Sequence, residues 1–170
     1  MKNISFRNDV LPLKNVLYRL ALRITLNKEE AEDIVQDTLI KVWNRRDSLQ
    51  NVDSIEAFSL TICRNLSLDR QRKAGNDNQS IGDEEMSSAD TASDPYERMI
   101  QKDRVELVKR IVDSLPEKQR SCMQLRDFEG KSYKEIATVL GLSEEQVKVN
   151  IFRARQAVKQ KYKEYEGYGL

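Results

Sequence analysis

Histidine is missing from all 170 residues, and cysteine occurs only twice, at Cys63 and Cys122, without a C-x-x-C spacing. Those absences remove the usual zinc ligand sets and any imidazole-based acid–base chemistry, and no cofactor is called for. Two thiols in separate segments read as buried and reduced. Three prolines and six glycines are too few for a sheet of many short, turn-linked strands. No apolar run approaches the roughly 20 residues that span a bilayer. The start Met1-Lys2-Asn3-Ile4-Ser5 lacks the continuous apolar core of a signal peptide. These features predict a cytoplasmic protein with no direct membrane insertion.

What is present is helical. Hydrophobic residues make up 39% of the chain, and long stretches are rich in Leu, Glu, Lys, Arg and Gln, all good helix formers. The net charge of +1 hides an asymmetry. Residues 1–75 hold 13 Lys/Arg against 10 acids, residues 76–95 hold none against 6, and residues 96–170 hold 16 against 12. Two weakly basic modules flank an acidic strap, and each module alone could approach a polyanion.

The last forty residues carry the sharpest pattern. Ser132-Tyr133-Lys134-Glu135 and Ser143-Glu144-Glu145-Gln146 are successive capping-box signatures separated by Leu140-Gly141-Leu142. Ile136, Ala137 and Leu140 can pack against Val147, Ile151, Ala154 and Val158, while Glu145, Lys148, Val149, Phe152, Arg153 and Gln156 form the outward stripe. That is a helix-turn-helix whose second helix suits base edges near its start and phosphates farther along. A plain helical hairpin with a solvated basic face would carry the same signatures.

Upstream, Phe6, Val10, Leu13, Leu17, Leu20 and Ile24 repeat at helical spacing, with Pro12 placing the regular helix start near residues 9–11. Asn27-Lys28-Glu29-Glu30 opens a helix through about Arg46, with inner stripe Ala31, Ile34, Val35, Thr38, Leu39 and Val42. Its outer side aligns Asp33, Gln36, Asp37, Ile40 and Asn44, an acidic and apolar face suited to docking or simply to solvent. A third helix, residues 55–73, packs Phe58, Ile62 and Leu66 and ends in Asp69-Arg70-Gln71-Arg72-Lys73. The cations there suit the helix dipole with or without a ligand. Asn65 in mid-helix suits an internal hydrogen bond or a base edge. Residues 74–94 hold Ile and Met as their only large apolar side chains and predict a flexible linker. Asp94-Pro95-Tyr96-Glu97 restarts helix. Ile100, Leu107, Val108 and Ile111 form the next stripe, Pro116 breaks the chain, and residues 118–128 are helical until Gly130. The fold expected is all-α: two small helical domains, 1–73 and 95–170, joined by the acidic linker 74–94.

Over nearly its full length this pattern resembles the bacterial RNA polymerase sigma factors of the extracytoplasmic-function (ECF) group. Residues 31–43 (AEDIVQDTLIKVW), Ala57-Phe58, Ile62-Cys63-Arg64-Asn65-Leu66 and Asp69-Arg70 resemble the family's region 2. Leu115-Pro116-Glu117-Lys118-Gln119-Arg120, Tyr133-Lys134-Glu135-Ile136-Ala137, Val147-Lys148 and Arg153-Ala154-Arg155 resemble region 4. The resemblance implies that Asp33, Gln36, Asp37 and Ile40 dock on core RNA polymerase. It implies a loop at 47–56, with Asn51, that captures a base flipped from the −10 element, flanked by Arg64, Asn65, Asp69, Arg70 and Arg72. Extruding that base costs a few kcal/mol of stacking. It further implies that Lys148, Val149, Phe152, Arg153, Arg155 and Lys159 meet the −35 element of promoter DNA. The linker would thread near the RNA exit path, and an anti-sigma factor would mask both modules. The acids Glu144 and Glu145 at the recognition-helix start serve the dipole or accept from a cytosine amine. A free-standing helix-turn-helix regulator is the competing expectation; an enzyme has no nucleophile or metal constellation behind it.

Overall fold

The structure, a computed structural model, describes residues 3–76 and 96–167. It is built from α1 (Lys14–Thr25), α2 (Lys28–Asn44), α3 (Ile55–Asn76), α4 (Tyr96–Asp113), α5 (Glu117–Met123), α6 (Tyr133–Leu140) and α7 (Glu144–Gly167). The expected linker and the Asp94-Pro95 cap lie outside the described residues, apart from residues 74–76. Those three extend α3 beyond its expected end at Lys73.

Pro12 shifts the first regular helix further than expected. Phe6–Val10 makes one wide turn and Leu11–Leu13 one tight turn that absorbs the proline, so α1 begins only at Lys14. α1 ends on Leu26 in the left-handed region (φ 58°), whose N–H closes onto the Leu22 carbonyl. Asn27 then caps α2 by accepting from the Glu30 N–H at 3.0 Å. α2 buries the stripe read from the sequence, Ala31 to Val42. It stops at Asn44 rather than Arg46, and the tight turn Arg46–Asn51 pins its exit by burying Leu49.

α3 departs from its expected stripe. Phe58, Ile62 and Leu66 are half-buried, and the innermost residues are Ser59, Leu60, Cys63 and Ser67. The serines allow close packing because each hydroxyl is satisfied locally: Ser59 donates to the Ile55 carbonyl (2.7 Å) and Ser67 to that of Cys63 (2.8 Å). α3 is so enclosed because it is covered twice, by α1 and α2 on one side and by α6 on the other.

In the second half α4, α5 and α7 pack together, with Val112, Leu115, Met123 and Ala154 buried between them. The expected helix over 118–128 divides into α5 and a wider turn, Gln124–Phe128, before Gly130 at φ +72°. The helix-turn-helix forms as read. Gly141 (φ +66°) ends α6, and Ser143 and Gln146 cap α7 reciprocally, Gln146 N–H to Ser143 Oγ at 3.1 Å and Ser143 N–H to Gln146 Oε1 at 2.9 Å. At Ser132 the box is incomplete: its Oγ accepts from the Glu135 N–H (3.1 Å), but Glu135 takes the Ser132 hydroxyl instead of its backbone N–H.

The two halves are not separate bodies here. One continuous apolar cluster runs from Leu17, Ile24, Leu39 and Leu60 into Cys122, Leu125, Ile136, Leu140 and Ile151. At about 1.5–3 kcal/mol per fully buried large apolar side chain, such a shared core holds the halves together more strongly than any one polar contact.

Candidate nucleic-acid interface

α7 presents its reading face without obstruction. Val147, Ile151 and Ala154 are buried, while Lys148, Val149, Phe152, Arg153 and Gln156 share the exposed stripe. Phe152 is 63% exposed, a large apolar side chain held in water next to cations, which suits a thymine methyl or a stacked sugar. Lys148 Nζ sits 5.6 Å from the Tyr133 ring centroid, a contact that orients the ammonium without burying it.

Two expected phosphate contacts have other neighbours. Arg155 donates through Nε and Nη2 to the two oxygens of Asp127 (3.1 and 2.5 Å), which raises its pKa and fixes its direction. Lys159 lies on the rim of an open apolar groove between α4, α5 and α7, lined by Val108, Met123, Val158 and Tyr162. Neither the bidentate clamp nor the groove was visible in the periodicity, because Asp127 and Val108 come from other elements.

On the first half, Asp33, Gln36, Asp37 and Ile40 all lie exposed on one face of α2. Ile40 is 58% exposed and joins Phe6, Leu39 and Trp43 around a second shallow apolar groove. Trp43 is half-buried, meets the edge of Phe6 at 5.5 Å and carries the Arg46 guanidinium over its ring at 4.3 Å. The acids on this face are tied to α3: Arg70 donates to Glu30 (2.7 Å) and reaches Asp37 (3.4 Å) and Asp33 (3.7 Å). Its pKa is raised, chiefly by the Glu30 hydrogen bond. Arg70, expected on DNA, therefore braces the face expected to dock, and Glu30 serves it rather than a capping box. Asn51, Asn65, Asp69 and Arg72 are exposed, with Arg72 3.8 Å from Asp69.

Arg64 is the exception. Its side chain is only 12% exposed, and its Nε lies 3.6 Å from Glu117 Oε1, too far for a hydrogen bond, so that a buried N–H is left without a partner. An unsatisfied buried donor costs about 1–3 kcal/mol. Glu117 meanwhile accepts from Ser121 Oγ at 2.8 Å.

That contact belongs to a polar seam between the halves that sequence reasoning missed. Arg19 donates twice to Glu129 (2.7 and 2.8 Å), whose carboxyl is held below its ordinary value chiefly by those bonds. Arg23 donates to Gln124 and Asp113, both at 2.8 Å. Lys131 lies against Glu56. Arg120 is buried, and its guanidinium donates to the carbonyls of Leu115 (2.6 Å), Arg23 (3.0 Å) and Ile24 (3.1 Å). Burial lowers its pKa, opposed by Glu117 and Asp113. A cation against the last carbonyls of α1 also complements that helix's dipole. The one available signal was Arg120 itself, an arginine inside a stretch whose other side is apolar.

The chain is similar to known proteins in sequence and in fold. The description "Sigma-70 region 2" matches residues 10–76 and "Sigma-70, region 4" matches residues 106–158. The chain is 32% identical over 145 residues to the ECF RNA polymerase sigma factor SigL of Mycobacterium tuberculosis, covering 85% of this chain and 81% of the relative. It is 30% identical over 160 residues to the RNA polymerase sigma-H factor of Pseudomonas aeruginosa, covering 88% and 81%. Its fold is similar to the sigma factor RpoE of Bartonella quintana, solved in complex with the anti-sigma factor NepR, with TM-score 0.75, 26% identity and coverage of 93% and 96%.

Proposed function

The chain belongs to the sigma-70 family, among its extracytoplasmic-function members, and we propose the residues through which it works as an alternative sigma factor directing core RNA polymerase to promoters. Asp33, Gln36, Asp37 and Ile40 dock on the polymerase. Asn51, Arg64, Asn65, Asp69, Arg70 and Arg72 serve the opened −10 element. Lys148, Val149, Phe152 and Arg153 read the −35 element from the major groove, with Arg155 and Lys159 toward phosphates. The observation that carries this reading is the division of α7, with one stripe buried in its own module and the alternate stripe wholly exposed.

The physical division of labour follows. Phosphate contacts fix register, and base-edge contacts supply choice. Docking at one face raises the local concentration of both readers on the same duplex, so two individually weak sites select together. The chain supplies no catalytic chemistry of its own and acts with polymerase in the cytoplasm; among the described residues no helix is long and apolar enough to cross a membrane. An anti-sigma factor is the further partner, supported by the likeness to a sigma factor solved with one.

The test is to add the purified chain to core RNA polymerase and genomic DNA and map the transcript starts. Starts sharing two spaced upstream elements are expected. Tight sequence-specific duplex binding with no effect on polymerase would favour a free-standing regulator instead.

A further inference from the structure

Phe6 belongs to the apolar stripe of the first segment, yet it stays 36% exposed while Val10, four residues on, is fully buried. It also precedes the residues matched to region 2, which begin at position 10. We propose that Phe6 is a polymerase-binding residue: with Leu39, Ile40 and Trp43 it walls a groove that takes one apolar side chain from a helix of core RNA polymerase, beside a basic side chain that meets Asp37. This rests on the assignment of the α2 face to polymerase docking.

The Phe6 ring is held in place. Val10 anchors its turn in the core, the Ser5 hydroxyl accepts from the Asn8 N–H (3.3 Å), and the Asp9 carboxylate accepts from the Ser5 N–H (2.8 Å). The ring meets Trp43 edge-on at 5.5 Å. Arg46 fixes the indole in turn, lying over its ring at 4.3 Å and donating to the Trp43 carbonyl at 3.0 Å. A preformed aromatic wall loses little freedom when a partner arrives, and aromatic anchors of this kind carry a disproportionate share of binding energy.

The groove is continuous with the docking face, because Ile40 belongs to both and stands about one helical turn beyond Asp37. Charge sets the occupant. Arg70 is one cation set among Glu30, Asp33 and Asp37, so those side chains keep a net negative charge next to the groove. A surface apolar at one end and acidic at the other fits a helix that carries an apolar side chain and a lysine or arginine one turn apart. A second copy of this chain docking through the same face would oppose like charges, and residues 76–95, with six acids and no lysine or arginine, would be repelled as well.

The experiment uses the full chain and core RNA polymerase. A photo-crosslinker at position 6, and in a second sample at position 40, is activated in the holoenzyme, and affinity is read by displacement of fluorescent wild-type chain. Position 6 should crosslink to the same polymerase fragment as position 40. Phe6→Ala should weaken binding about tenfold, with −35 duplex binding by the free chain unchanged as a check on folding. That loss should persist at raised salt, because the contact is apolar, whereas the loss from Asp37→Asn should shrink. Phe6→Leu, which keeps an apolar wall, should recover most of the affinity. Leu11→Ala removes a comparably exposed side chain from the next turn, outside the groove, and should bind like the wild type. Wild-type affinity in Phe6→Ala would overturn the proposal, as would crosslinks from position 6 that stay within the chain or reach only a second copy of it. If position 40 crosslinks to polymerase and position 6 does not, the inference about Phe6 alone fails; if neither does, the docking assignment itself fails.

Discussion

α7 and α3 are both long helices read as DNA-facing, yet they spend their surfaces differently. α7 packs one stripe within the helix-turn-helix and leaves the other in water. α3 packs against α1 and α2 and also against α6, and two of its cations are engaged, Arg70 by three acids of α2 and Arg64 by Glu117, while Arg72 and Lys73 near its end stay exposed. The difference teaches that reading capacity is decided by what else packs on a helix, not by its charge pattern. A helix closed on one side advertises its function; a helix closed on two sides has to be opened first.

The largest way to break that contrast is at the buried arginine of the seam. Arg120→Met removes the side-chain donor to the carbonyls of Leu115, Arg23 and Ile24, of which only Ile24 keeps a second side-chain donor, Gln71, and should cost about 3 kcal/mol in urea unfolding, with the halves parting before either melts. On the open helix, Phe152→Ala should weaken binding to the cognate −35 duplex by about 1–3 kcal/mol while leaving non-specific binding unchanged, read by competition with mutated duplexes. Lys159→Ala, by contrast, should weaken all duplexes alike and lower the salt slope by about one unit.

Acid should loosen the seam in a direction the ion pairs fix. Glu129 has a folded pKa below its ordinary 4.5, so the stability it contributes is present above that value and is lost as pH falls through the folded value. The distance between the halves should therefore lengthen on acidification below about pH 4.5, and Glu129→Gln should show the longer distance at neutral pH. The smallest effect concerns the thiols. Burial pushes Cys63 up to about 12 and Cys122 up to about 11, so both should resist alkylation at pH 8 in the folded chain. Because their folded values lie above the ordinary 9.0, their contribution holds below pH 9 and fades as the pH rises toward those values. Cys122 lies by the seam and should become reactive first when the halves part.

Much of this was legible in the chain. The inner stripe of α2, the Ser143–Gln146 cap, the Gly141 stop and the exposed stripe of α7 all follow from short-range periodicity and capping, which sequence records directly. The delayed start of α1 and the serine-lined stripe of α3 were misread because local rules rank Pro12 and Phe58 without knowing what packs against them. The seam was not legible at all. Arg19 and Glu129 are 110 residues apart, and each alone looks like an ordinary surface charge. Separation in sequence, shorter but still across different elements, also hid the pairing of Arg155 with Asp127 and of Arg64 with Glu117.

The division of reading between the two helices is tested most directly by photo-crosslinking within the polymerase–promoter complex, with the crosslinker placed at position 152 in one sample and at position 65 in another. Position 152 should mark the −35 duplex and position 65 the non-template strand of the −10 element. Crosslinks from both positions to one element, or none from position 152 to DNA, would contradict the account.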